Sequence, residues 1–100
     1  MNVTAEGLSN TLRSSMNYNL TLREVFILLE IVRENIDFVM DVHNQCNMSY
    51  SNCRYACNKL MHRGFIYREL PEVPAAGHPM KYAATEKGKE FIEGLLNGTA

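Results

Sequence analysis

Several kinds of segment are missing from this 100-residue chain, and each absence excludes a class of protein. It has no apolar run long enough to span a bilayer; Val25–Leu29 is among the longest and falls far short of about 20 residues. Its first residues lack the basic start and apolar stretch of a secretory signal, so the expected location is the cytoplasm. There is no Gly-rich phosphate loop, no His-Glu-x-x-His and no nucleophile elbow, and hence no enzyme signature. Cys-x-x-Cys is absent too. Its three cysteines, Cys46, Cys53 and Cys57, cannot all pair within one chain. Reduced thiols are therefore expected, with neither metal nor cofactor, and the four Asn-x-Ser/Thr triplets are read as chance. The two carboxylates of Asp37 and Asp41 are expected on solvated surface rather than in acid-base chemistry.

One hundred residues make one domain. Hydrophobic residues at 46% suffice for a core, and 21% charged residues give no sign of disorder. Net charge is only −1, which argues against a general polyanion binder. The distribution is more informative than the total. Residues 1–41 carry three bases and six acids, and residues 69–100 carry three bases and five acids. Between them, residues 42–68 carry Arg54, Lys59, Arg63 and Arg68 with no acid at all.

That acid-free segment contains Ser49–Gly64, the most distinctive stretch of the chain. Cys53, Ala56, Cys57 and Leu60 recur at spacings of three and four, giving an apolar seam for a helix capped by Ser49. Tyr50, Ser51, Asn52, Arg54, Tyr55, Asn58 and Lys59 project elsewhere. A core-anchored helix that shows only hydroxyls, amides and bases suits a nucleic-acid groove. Gly64 stands where the helix needs a left-handed residue to stop.

Around it, Leu8, Leu12 and Met16 mark a short helix ending near Asn17. Thr21-Leu-Arg-Glu24 has the form of a capping box. It opens a helix expected to run to about Asn35 and to bury Leu22, Val25, Phe26, Leu29, Ile31 and Val32. A link at Ile36-Asp-Phe leads to a compact helix from Phe38 to about Asn44, with Phe38, Val39 and Val42 inward, and then a turn at Gln45–Met48. Phe65–Leu70 and Met80–Ala84 read as two strands, joined by the proline-laden Pro71–Pro79. Thr85 begins a last helix whose buried edge is Phe91, Ile92 and Leu95. The six methionines are read mostly as core fillers.

This order gives an α+β, mostly helical fold: a winged helix-turn-helix, with a three-helix core, a two-stranded wing and terminal helices. The single domain 1–100 divides into an N-terminal helix region 1–19, a winged-helix core 20–84 and a C-terminal helix region 85–100. Leu20-Thr-Leu-Arg-Glu, Ser49-x-Ser-x-Cys, Asn58-Lys-Leu-x-x-Arg-Gly-Phe-Ile66 and Thr85-Glu-Lys-Gly88 together resemble the MarR-like winged-helix transcription regulators over residues 20–95. The resemblance implies a DNA-binding regulator, most simply a repressor dimer on double-stranded DNA. It also implies that Tyr50, Ser51, Asn52, Arg54 and Tyr55 enter the major groove, with Lys59 and Arg63 nearer the phosphates. Asn58 lies on the same helix, and Arg68 on the first wing strand is read against the DNA backbone or a neighbouring glutamate.

The wing departs from the family pattern, because Pro71–Pro79 holds no Arg and leaves His78 and the nearby Lys81 as its bases. The chain is also shorter than typical members, whose long terminal helices build the dimer. Leu8, Leu12, Met16, Phe91, Ile92 and Leu95 are the candidate dimer residues. The competing reading is a winged helix used as a protein-interaction module, an adaptor or anti-repressor docking on a host protein. The acidic total and the Pro-Val-Pro-Ala-Ala segment favour that module, whereas the acid-free 42–68 segment favours DNA.

Overall fold

The computed structural model describes residues 5–69 and 81–97. Within them the elements run α1 (Ala5–Asn17), α2 (Leu22–Val32), α3 (Val39–Cys46), α4 (Tyr50–His62), β1 (Ile66–Glu69), β2 (Lys81–Ala84) and α5 (Glu86–Asn97).

Local chemistry sets most of the boundaries. Thr21 Oγ1 accepts from the Glu24 amide at 3.1 Å, and Glu24 Oε1 accepts from the Thr21 amide at 2.7 Å, completing the capping box. α3 is opened by Asp41, whose Oδ2 accepts from the Asp37 and Phe38 amides, both at 2.9 Å. The Asp41 carboxylate is thus a cap, not merely a solvated group. Thr85 Oγ1 accepts from the Gly88 amide and so caps α5.

Three helices end in the same way. After α1 the Leu20 amide bonds Ser15 O, after α2 the Asn35 amide bonds Glu30 O, and after α4 the Phe65 amide bonds Leu60 O. Each termination turns on a left-handed residue: Asn19 at φ 57°, Glu34 at φ 64° and Gly64 at φ 81°. This explains why α2 stops at Val32, short of the expected Asn35. The Glu30 carboxylate accepts from Arg33 and from Asn35 Nδ2, both at 2.8 Å, and holds the turn. α3 in turn runs two residues past the expected end, to Cys46, before Asn47 reverses the chain at φ 53°.

The buried stripe of α2 is Glu24, Ile27, Leu28 and Ile31, with Val25 beside it. The expected inward positions Leu22 and Phe26 lie on the opposite side and are 73% and 40% exposed. Glu24 heads the stripe because its carboxylate is consumed by the cap and by Lys59, so a charged residue sits where hydrophobic counting places an apolar one. The core is otherwise built from Ile27, Leu28, Ile36, Val42, Cys53, Cys57, Leu60, Phe65 and Ile92.

β1 and β2 pair antiparallel, Ile66 opposite Ala84 and Glu69 opposite Lys81. The Tyr82 amide donates to Asp37 O at 2.7 Å, which ties the wing to the extended link before α3. α5 packs back across α1 and α2. Its approach requires Gly88, where a Cβ would lie 2.2 Å from Phe65 O. Thr85 Oγ1 donates to Gly64 O at 2.6 Å and joins the same corner. The Thr-Glu-Lys-Gly sequence is thereby accounted for: a cap at its start and a close approach at its end.

Candidate nucleic-acid interface

α4 rests on the seam expected of it, with Cys53, Ala56, Cys57 and Leu60 all buried. At 100° per residue the side opposite that seam carries Ser51, Tyr55, Asn58 and His62, with Arg54 on one flank and Asn52, Lys59 and Arg63 on the other. Ser51, Asn52, Arg54, Tyr55, Asn58 and His62 are all exposed. Arg54 has no ion-pair partner among the described residues. His62 was not among the residues expected to face DNA. It lines a shallow concavity of about 270 Å³ with Tyr55, Asn58, Lys59 and Arg63. Its position seven residues after Tyr55 on the same helical stripe was the available signal.

The other basic side chains of the segment are engaged within the molecule. Lys59 Nζ lies 3.0 Å from Glu24 Oε1, with side-chain exposures of 14% and 6%. Arg63 Nε donates to Tyr18 O at 3.2 Å. The Arg68 guanidinium lies 5.6 Å from the Tyr82 ring centroid. Lys81 Nζ is 3.7 Å from Asp37, on the edge of the wing. His78 lies outside the described residues.

Tyr50 and Tyr55 differ sharply. Tyr50 stacks on His43 at 4.6 Å between centroids, and its hydroxyl meets Met40 on α3. The His43 ring in turn bonds Met48 O, so α3, the turn and the first residue of α4 are held together. Tyr55 is 70% exposed. Beside it an open groove of about 680 Å³ runs between α4 and the first turn of α2, lined by Leu22, Arg23, Met48, Asn52, Tyr55 and Lys59 among others. Arg23, exposed on that first turn, is a second residue that sequence reasoning passed over.

The cysteines are packing residues. Cys53 and Cys57 are fully buried and Cys46 is half-buried, all with free thiols. Burial pushes the Cys57 thiol up to about 11, although the Tyr82 hydroxyl bonds to it, and burial raises Cys46 and Cys53 as well. The Tyr82 hydroxyl is likewise raised, first by its own burial. Among the described residues no group of three or more His, Cys, Asp or Glu could hold a metal ion.

The candidate dimer residues separate into two sets. Leu8 and Met16 are exposed, at 43% and 71%, and Leu12 and Phe91 are partly buried. Ile92 and Leu95 are buried in the subunit's own core, at 1% and 7% exposure, because α5 folds against α1 of the same chain. Leu8 and Met16 are the candidates that stand on the surface of the subunit. Among the described residues no helix is long and apolar enough to cross a membrane.

The sequence matches no protein-family model and no curated protein. Solved structures do match. The transcriptional regulator Tm0710 from Thermotoga maritima superposes with a TM-score of 0.75 at 19% identity, over 91% of this chain and 63% of that one. RV1404 from Mycobacterium tuberculosis gives 0.72 at 16%, over 94% of this chain and 61% of that one. MarR gives 0.68 at 27%, over 91% of this chain and 71% of that one. The chain therefore spans somewhat over three fifths of the length of the first two. The helix order, the two-stranded wing and these superpositions together establish that the chain has the MarR-like winged helix-turn-helix fold.

Proposed function

We propose that the protein binds double-stranded DNA in a sequence-specific manner and regulates transcription, acting as a dimeric repressor that occludes polymerase at its operator. The observation that carries this reading is the outward face of α4. Ser51, Asn52, Arg54, Tyr55 and Asn58 are exposed on a helix anchored by a buried seam, and no acidic side chain interrupts them. Arg54 suits guanine O6 and N7, and Asn52 or Asn58 suits adenine N6 and N7, each pairing contributing about 1–3 kcal/mol of discrimination. The similarity to a transcriptional regulator of the same fold supports the role. No step of bond making or breaking is assigned; the protein works by binding, in the cytoplasm where operator DNA lies.

A symmetric dimer would set two copies of α4 about 34 Å apart and require a pseudo-palindromic site. The exposed Leu8 and Met16 of α1 supply apolar surface for such an interface. The free cations on α4 are few, so phosphate attraction is modest and base contacts carry a large share of affinity.

Selection from a random 30-base-pair duplex library tests the assignment. Enrichment of a recurrent, two-fold related site is expected, with Arg54→Ala losing about 5- to 150-fold per half-site and little on random duplex. Failure of a folded protein to enrich any site would refute it and leave the protein-docking module as the reading to pursue.

A further inference from the structure

The groove between α2 and α4 differs from the rest of the outward face in being lined largely by carbon. Leu22 is 73% exposed at the start of α2 and Tyr55 is 70% exposed on α4, with Met48 and Ala56 between them. An aliphatic side chain and a phenol ring left uncovered on adjacent helices give carbon surface that a small apolar group can cover. Glu24, the carboxylate in this groove, is already bound to the Thr21 amide and to Lys59. Both bonds fall on Oε1, and the residue is only 4% exposed, so little of its charge faces the groove. The polar groups that stay available are the Asn52 amide and the Arg23 guanidinium, both on exposed residues.

We propose, as a deepening of the DNA-binding role argued above, that this groove reads the C5 methyl group of thymine, with Tyr55 as the specificity-determining residue. Charge and shape both favour that occupant. The major-groove edge of an A·T pair presents a methyl group from thymine beside the N6 and N7 pair of adenine. Tyr55 and Leu22 supply carbon surface for the methyl, and Asn52, three residues before Tyr55 and beside it along the groove, supplies the amide that adenine takes. A G·C pair offers neither the methyl nor an adenine edge. Tyr55 belongs both to this groove and to the outward face that carries Ser51 and Asn58, which places the groove beside that face.

The test uses the full chain and the duplex recovered by selection, resynthesised with deoxyuridine in place of thymidine on both strands. Uracil keeps the hydrogen-bonding edge and removes only the methyl. Wild type is expected to bind the uracil duplex about fourfold more weakly for each methyl buried, or about 15-fold across two half-sites. Tyr55→Ala should bind both duplexes alike, while Tyr55→Phe should retain the preference for thymine. Tyr55 is exposed, so neither variant disturbs the core, which circular dichroism checks. Equal wild-type affinity for the two duplexes, or a selected site without A·T pairs in its half-sites, would overturn thymine reading and leave DNA binding intact. A folded protein that binds no duplex at all would remove the DNA-binding role and this inference with it.

Discussion

Replacing Lys59 should damage the fold before it damages DNA binding. Lys59 Nζ and Glu24 Oε1 stand 3.0 Å apart with side chains only 14% and 6% exposed. At an effective dielectric constant of about 20 their attraction is about 5 kcal/mol, most of it offset by desolvation of the two charges. Removing one partner is a different matter, because the other stays behind. Lys59→Met would leave Glu24 Oε1 bonded to the Thr21 amide but without its cation. Loss of one member of a buried pair costs about 3–5 kcal/mol. The Lys59 end opens onto the groove beside Tyr55, where water can enter, so about 2 kcal/mol is the expected cost. In a domain of this size that lowers Tm by roughly 8–16 °C. Glu24→Gln should cost less, about 1 kcal/mol, because Lys59 can swing its ammonium into water while Gln still serves the cap. A double-mutant cycle followed by thermal circular dichroism reads the coupling, and the double variant should recover about 1 kcal/mol relative to additivity. A Lys59→Met protein that melts within about 2 °C of wild type, yet loses affinity for every duplex equally, would refute the reasoning. Lys59 would then be a free phosphate contact.

Other perturbations follow from the same structure. Gly88→Ala places a Cβ 2.2 Å from Phe65 O, so α5 must shift, and a loss of about 3 kcal/mol or more in chemical denaturation is expected. Leu8→Ser with Met16→Ser should lower the dimer fraction in sedimentation without lowering the stability of the subunit, since both residues are exposed. Ile92→Ala, by contrast, should destabilise the subunit by about 2–5 kcal/mol. The Cys57 thiol is held neutral by burial, near 11 in the folded chain against about 9 when free. Its contribution to stability is complete below about pH 9 and is lost as pH rises from about 9 to about 11. The urea midpoint of wild type should therefore fall faster than that of Cys57→Ala over that range. Half-buried Cys46 should react with a thiol reagent before Cys53 or Cys57 in the native protein.

The fold was legible in the sequence where local chemistry and periodicity agree. Ser49, Thr21 and Thr85 each announce a helix start, and Gly64 announces an end; the structure uses all four. The Cys53–Leu60 seam was legible because four small or apolar residues recur at helical spacing with polar residues everywhere between them. What escaped was set by contacts distant in sequence. Glu24 and Glu30 are buried because Lys59, Arg33 and Asn35 neutralise or bond them, so counting hydrophobic residues rotates α2 the wrong way. That same error hid the exposed Leu22 and with it the groove. Glu34 adopts a left-handed conformation without being glycine or asparagine, so nothing in its identity marks the end of α2. On α4 the residues of the outward face were legible by position, but the engagement of Lys59 and Arg63 was not, because Glu24 and Tyr18 lie 35 and 45 residues away.

The central claim, that the outward face of α4 meets DNA, is tested most directly by fluorescence anisotropy of a labelled selected duplex over a salt series, wild type against Arg54→Ala. The expected result is specific binding whose affinity falls with salt along a shallow slope, as befits few free cations, with Arg54→Ala weakened about 5- to 150-fold per half-site on the selected duplex. A folded wild type that shows no binding at low salt, or an Arg54→Ala protein indistinguishable from wild type on the selected site, would contradict the account.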